Sequence, residues 1–223
     1  MQEEELQAYK DHLRKRLLKY TRKAFQALPG MTRPCILDIG CGSGVPTMEL
    51  AKLSDGKIMA IDTSHTALDR LTSKIKEAGL VVRVKAAKCS MLNMDFPDAS
   101  FDIIWTEGSI AAIGFEKGLK EWRRLLKARG FLVVHDDLGN LTEKRRQIFQ
   151  CGYELINHFV LSEDIWWNEY YAPLEKKCNE VREKHTSDQK TIAVLNDDKR
   201  EIDTFKREPN RYRSVFFIMR RSQ

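Results

Sequence analysis

The chain has 223 residues, 42% hydrophobic and 31% charged, which suits one globular α/β domain with a modest addition and needs no covalent staples. Its net charge of +6 permits anionic partners without demanding them, because many basic residues sit beside acids on helix faces, as from Lys117 to Arg129. Five cysteines with no C-x-x-C pair, a first segment opening on three glutamates and no run near the roughly 18 apolar residues of a membrane span point to reduced thiols in a cytosolic protein.

Residues Glu3 to Leu28 predict a helix, with Leu6, Tyr9, Leu13, Leu17, Tyr20, Ala24 and Leu28 at three- and four-residue steps and Pro29-Gly30 as its stop. A strand–helix alternation follows, which implies a mostly parallel sheet covered on both faces. Strands are expected at Cys35–Ile39, Lys57–Ile61, Val81–Ala86, Phe101–Thr106 and Phe131–His135. The helices between them fall near Pro46–Leu53, Thr66–Ala78 and Phe115–Lys127. Beyond His135 come a short helix near Thr142–Gln150, a strand over Tyr153–Leu161 and an aromatic-rich segment from Ile165 to Tyr171 that Pro173 interrupts. A charged helix is expected from about Ser187 to Arg207, opened by a capping box of Thr186 and Gln189, and then a last strand over Tyr212–Met219. Residues 1–30 read as an N-terminal helix, 165–207 as a helical insertion before the last strand, and 1–223 as a single domain.

The most informative segment is Ile36-Leu37-Asp38-Ile39-Gly40-Cys41-Gly42-Ser43-Gly44, a buried strand running into a glycine-rich turn with a helix opening near Val45. A dinucleotide fingerprint needs G-x-G-x-x-G, whereas Gly40, Gly42 and Gly44 make G-x-G-x-G and Val45 holds the place of the third dinucleotide glycine. Asp38 ends the strand where its carboxylate would repel a pyrophosphate and attract a ligand carrying an ammonium and a sulfonium, which is S-adenosylmethionine. Asp62 ends the next strand eighteen residues past Gly44, the position from which an acid hydrogen-bonds a ribose diol. That acid serves adenosine in either cofactor.

With Phe96-Pro97-Asp98-Ala99-Ser100-Phe101-Asp102 before the fourth strand and Glu121-Trp122-Arg123-Arg124-Leu125-Leu126-Lys127 before the fifth, the chain resembles the class I S-adenosylmethionine-dependent methyltransferases, and within them the small-molecule, quinone-biosynthesis-like branch. The resemblance covers about Thr32 to Val134 and, more loosely, the rest. It implies a Rossmann-like, doubly wound seven-stranded sheet, mostly parallel with one antiparallel strand, the last strand inserted between the fifth and sixth. It further implies that Asp38, Gly40, Cys41 and Gly42 line the methionine moiety, that Asp62 holds the ribose, and that Thr63 and Met91 flank the adenine. Thr106-Glu107-Gly108 would close over the cofactor from the other side. Ser90 stands where relatives often have Asp and can still accept an adenine hydrogen bond, without charge. Ala128-Arg129-Gly130 replaces the common Pro-Gly-Gly turn. Cys41 reads as a small residue packed in the turn rather than a reactive thiol.

Methyl transfer is an in-line displacement that needs a nucleophile placed within roughly 3–3.5 Å of the methyl carbon, and a general base only for a protonated acceptor. Glu107 and His135 end the fourth and fifth strands, where doubly wound sheets bind ligands, and are the candidate catalytic residues. His135 reads as a base oriented by Asp136 or Asp137, or as a histidine satisfied at a strand end. Glu107 reads as a contact to cofactor or substrate, or as a proton acceptor. Ile110, Trp166 and Trp167 are the candidate substrate wall, although the aromatic cluster equally suits anchoring of the insertion. No metal is expected. The acceptor is expected to be a small molecule, with an RNA or protein methyltransferase and a non-catalytic S-adenosylmethionine-binding protein as alternatives. A nucleic-acid substrate is disfavoured because Thr106-Glu107-Gly108-Ser109 stands where base-amine methylases carry Asn/Asp-Pro-Pro-aromatic.

Overall fold

A computed structural model describes residues 2–184 and 189–223. In chain order the elements are α1 (Gln2–Gln26), β1 (Cys35–Ile39), α2 (Val45–Leu53), β2 (Lys57–Asp62), α3 (His65–Glu77), β3 (Val84–Lys88), β4 (Phe101–Glu107), α4 (Phe115–Arg123), β5 (Leu126–Asp137), α5 (Leu141–Gln150), β6 (Tyr153–Leu161), α6 (Glu163–Trp166), a π-helical turn (Trp167–Tyr171), α7 (Ala172–Lys184), α8 (Gln189–Arg207) and β7 (Ser214–Arg221). These elements pack as two compact units, Tyr20–Val160 with Val215–Gln223 and Met1–Lys19 with Leu161–Ser214.

The larger unit holds the sheet, ordered β3-β2-β1-β4-β5-β7-β6 and mostly parallel with one antiparallel strand, β7 lying between the fifth and sixth as expected. Leu37, Ile39, Ile104, Leu132 and Val134 are sealed on one face with Leu119 and Trp122 of α4, and Ile36, Ile103, Trp105 and Val133 are sealed on the other, so the central strands are apolar on both faces. Pro46 lies in the first turn of α2, where its missing N–H costs nothing. Ser64 caps α3, its Oγ accepting from Ala67 N at 3.3 Å. The chain order reverses between β1 and β4, whose register pairs Asp38 with Trp105. This places the carboxyl ends of β1 and β4 at a topological switch point.

Several elements depart from the sequence reading. The third strand begins at Val84, because Leu80 N bonds back to Ile75 O and Val84 N to Leu80 O, folding Val81 and Val82 into an exposed turn. Helix α4 stops at Arg123, where Leu125 N closes a turn onto Trp122 O and the chain enters β5. The buried face of α1 runs through Leu18 rather than Leu17 and includes the polar Asp11 and Thr21, which an apolar stripe does not reveal.

In the smaller unit, Leu6 and Leu13 pack with Tyr170, Tyr171, Leu174, Leu195, Ile202 and Phe205. Pro173 does not interrupt the segment: Glu163–Lys184 is one helical run, with the proline second in α7. A proline removes one N–H and crowds the carbonyl four residues back, and the wider π turn directly before α7 accommodates both. The expected capping box at Thr186 lies outside the described residues. Among the described residues no helix is long and apolar enough to cross a membrane.

Candidate functional site

The turn after β1 is shaped by three glycines in left-handed conformation, Gly40, Gly42 and Gly44, at φ of 71°, 53° and 79°. Gly40 N and Cys41 N donate to Ile61 O at 2.8 and 3.0 Å, tying the turn to the end of β2. Two of the three face a close neighbour. A Cβ on Gly40 would sit 2.4 Å from Ser109 Cβ, and one on Gly44 would sit 2.2 Å from Leu71 Cδ1. A Cβ on Gly42 would meet nothing within 4 Å, so this glycine presents bare backbone to open space.

Three carboxylates surround the turn. Asp62 is the clamp: its Oδ2 accepts from Gly42 N at 2.8 Å and its Oδ1 from Ser64 N at 2.9 Å, joining the turn to the start of α3. Each oxygen keeps acceptor capacity for a ribose hydroxyl. Asp38 is 2% exposed, and its Oδ2 accepts from Thr47 Oγ1 at 2.6 Å. Burial pushes its carboxyl up to about 7, against the Thr47 hydrogen bond and with help from the repulsion of Asp62. Glu107 accepts through Oε1 from Trp105 Nε1 at 2.8 Å and Thr21 Oγ1 at 2.9 Å. Burial also raises it to about 7, opposed by those two hydrogen bonds and reinforced by Asp38. The same acids, with burial in the lead, push the Cys41 thiol far above its ordinary value, so it is no reactive thiolate.

The pleat explains why these groups share one side. Paired residues of neighbouring strands point to the same face, and the register pairs Asp38 with Trp105 and Glu107 with His135. His135 stacks on Phe216, with ring centroids 4.2 Å apart, and burial lowers its pKa to about 3. A neutral imidazole that weakly basic is poorly matched to general-base work near neutral pH. Asp136, one of its two candidate orienting acids, is instead bound to Lys144 Nζ at 2.6 Å, and Asp137 Oδ1 lies 3.2 Å from the same ammonium.

The remaining expected site residues divide. Thr63 is exposed beside Asp62, and Ser90 and Met91 are half-buried, with Met91 Cε 3.8 Å from the Cβ position of Gly40. Thr106 is sealed from solvent and spent on the fold, its Oγ1 donating to Ile39 O at 3.0 Å. Ile110 is also sealed, 2.7 Å from where a Cβ on Gly118 would stand, in the core. Trp166 and Trp167 belong to the smaller unit, where Trp166 Nε1 donates to Ser214 Oγ at 2.9 Å and Trp167 stacks on Phe205 at 5.5 Å. Sequence reasoning missed Thr47, Ser109, Thr21 and Trp105, which hold the turn and the acids. Thr47 lies nine residues past Asp38, in the first turn of the expected helix, and is the one with a readable spacing.

The residues present fit S-adenosylmethionine. Bare backbone at Gly42 admits close approach, Asp62 has acceptor capacity for a diol, and Asp38 with Glu107 supplies negative charge for a cation. Among the described residues no group of three or more His, Cys, Asp or Glu is placed to hold a metal ion.

Comparison with known proteins agrees with this reading. A family model described as a methyltransferase domain matches residues 36–130. A sterol 24-C-methyltransferase of Neurospora crassa is 31% identical over 139 residues, 58% of this chain and 37% of that protein. The chain spans roughly a quarter to a half of the length of the curated relatives it matches. Among solved structures, the cyclase SpnF superposes with a TM-score of 0.76 at 16% identity, over 92% of this chain and 80% of that one. An S-adenosylmethionine-dependent methyltransferase from Geobacter sulfurreducens, in complex with S-adenosylhomocysteine, gives a TM-score of 0.74 at 17% identity over 90% of each chain. At these identities the solved structures bear on the fold alone.

Proposed function

Because the chain belongs to the class I S-adenosylmethionine-dependent methyltransferases, we propose that it carries a methyl group from S-adenosylmethionine to a small-molecule acceptor. The observation that carries this reading is the turn itself: G-x-G-x-G with Gly42 bare, Asp38 beneath it and Asp62 bonded across it. When bound, the cofactor supplies an electrophilic methyl carbon on a sulfonium, so the protein's task is to hold, orient and exclude water. In this reading Asp62 binds the ribose while fixing the turn, and Asp38 offers its carboxylate to the ammonium of the methionine moiety. Thr63, Ser90 and Met91 flank the adenine. The sterol-methylating relative supports a small acceptor. The five unpaired cysteines fit a cytosolic setting.

His135, buried and neutral, serves in this proposal as a fixed polar wall rather than a proton acceptor. The test is transfer of labelled methyl from S-adenosylmethionine into fractions of small metabolites, RNA and protein. Label confined to the small-metabolite fraction, and lost with Asp62→Ala, is the expected result. Label in RNA or protein overturns the acceptor class, and no label in any fraction overturns the enzyme.

A further inference from the structure

Glu107 closes β4 at the switch point, and its carboxylate is held by one oxygen only. Trp105 Nε1 and Thr21 Oγ1 both donate to Oε1, and no hydrogen bond reaches Oε2 among the described residues. Arg213 Nε is the one buried side-chain nitrogen or oxygen without a hydrogen-bond partner among those residues, so Oε2 of the half-buried Glu107 keeps some contact with solvent. The charged and titratable groups facing it are Asp38 from β1 and His135 from β5, while α1 contributes the uncharged Thr21. None of the ion pairs among the described residues gives Glu107 a lysine or arginine. A rigidly aimed acid, without a counter-ion and beside a second such acid, is a poor partner for an anion and a good one for a cation.

We propose that Glu107 reads the charge on the cofactor's sulfur, making the site prefer S-adenosylmethionine, a sulfonium, over S-adenosylhomocysteine, its neutral thioether product. The proposal rests on the reading of the turn as an S-adenosylmethionine site and adds to it a residue for product discrimination. Packing alone gives no reason to anchor one oxygen twice and leave the other free. The chemistry then closes: a cation beside Glu107 drives its proton off, and once the methyl has left, the neutral sulfur no longer opposes reprotonation. The site thus loosens its product by losing an attraction, with no moving part. Burial holds both Asp38 and Glu107 near 7, so the exchange of charge falls within the neutral pH range.

Titration calorimetry of the full chain with each ligand separately, in two buffers of different ionisation enthalpy, tests this without an acceptor. S-adenosylmethionine is expected to release at pH 7 up to about half a proton more from the wild type than from Glu107→Gln, since a group at its midpoint is half protonated. The same substitution should weaken S-adenosylmethionine about tenfold, equivalent to one pH unit of differential interaction, and S-adenosylhomocysteine by less than threefold. Thr21→Val keeps the carboxylate and removes one donor that stabilises its charge, so the proton release of the wild type should move to higher pH. Equal weakening of both ligands by Glu107→Gln, or a Thr21→Val profile that superposes on the wild type, overturns the proposal and leaves the S-adenosylmethionine site standing. Binding of neither ligand by the wild type overturns both.

Discussion

Substitution of the turn glycines by alanine separates backbone shape from ligand space. Gly42 and Gly44 both have left-handed backbone, so alanine at either position carries a conformational cost of about 1 kcal/mol. At Gly44 the new methyl also meets Leu71 Cδ1 at 2.2 Å, and Leu71 is fully buried in α3. Overpacking there adds about 1–3 kcal/mol. The total for Gly44→Ala is about 2–4 kcal/mol, which for a chain of this size lowers the melting midpoint by on the order of 10 °C. Gly42→Ala has no such neighbour, and its midpoint should fall by only about 3 °C. Its methyl instead projects into the open space beside Asp62, where the cofactor is proposed to lie. Thermal unfolding and titration with S-adenosylhomocysteine, run on both variants, give the comparison. Gly42→Ala should melt near the wild type and bind at least tenfold more weakly, a change of about 1.4 kcal/mol. Wild-type affinity in Gly42→Ala would refute the placement of the ligand against this backbone.

Asp62→Ala removes two hydrogen bonds to backbone and the proposed ribose contact, and should weaken cofactor binding by about 1.5–3 kcal/mol, read by calorimetry. Without ligand, Asp38 and Glu107 bind protons in the folded state that the unfolded chain has lost, so stability falls as pH rises towards and through about 7. His135, held near 3, opposes this below its ordinary value and is outweighed by the two acids; melting midpoints at pH 6 and 8 should therefore fall, and S-adenosylmethionine should reduce the drop. Lys144→Ala strips the buried Asp136 of its cation and should destabilise the chain by about 3–5 kcal/mol in denaturant titration, whereas a loss below 1 kcal/mol would mean that water replaces the ammonium.

Much of the sheet is legible in the sequence because its signals are local. β1 and β6 have the expected bounds, set by an apolar run ending in a glycine turn and by a run ending in Leu161. Val81 and Val82 misled because β-branched residues favour strands, yet hydrogen bonds to Ile75 and Leu80 claim that stretch as a turn. The motif also exposes Asp38 and Asp62, since their positions follow from spacing. The meeting of Asp38 with Glu107 and His135 depends on how β1, β4 and β5 are registered, with the paired Asp38 and Trp105 lying sixty-seven residues apart in the chain, and no periodicity carries that. Thr21 is hidden for a related reason: a threonine within an apolar stripe gives no sign that its hydroxyl holds a buried acid. The aromatic pair Trp166 and Trp167 shows the reverse, a conspicuous signal with partners inside its own unit.

The most direct test is a pair of titrations on the purified chain at pH 7.5, one with S-adenosylhomocysteine and one with NAD. The Asp38 carboxylate beneath a G-x-G-x-G turn predicts a single micromolar site for the first and no measurable heat for the second. Micromolar binding of NAD with none of S-adenosylhomocysteine would contradict it, and would make the turn a pyrophosphate cradle.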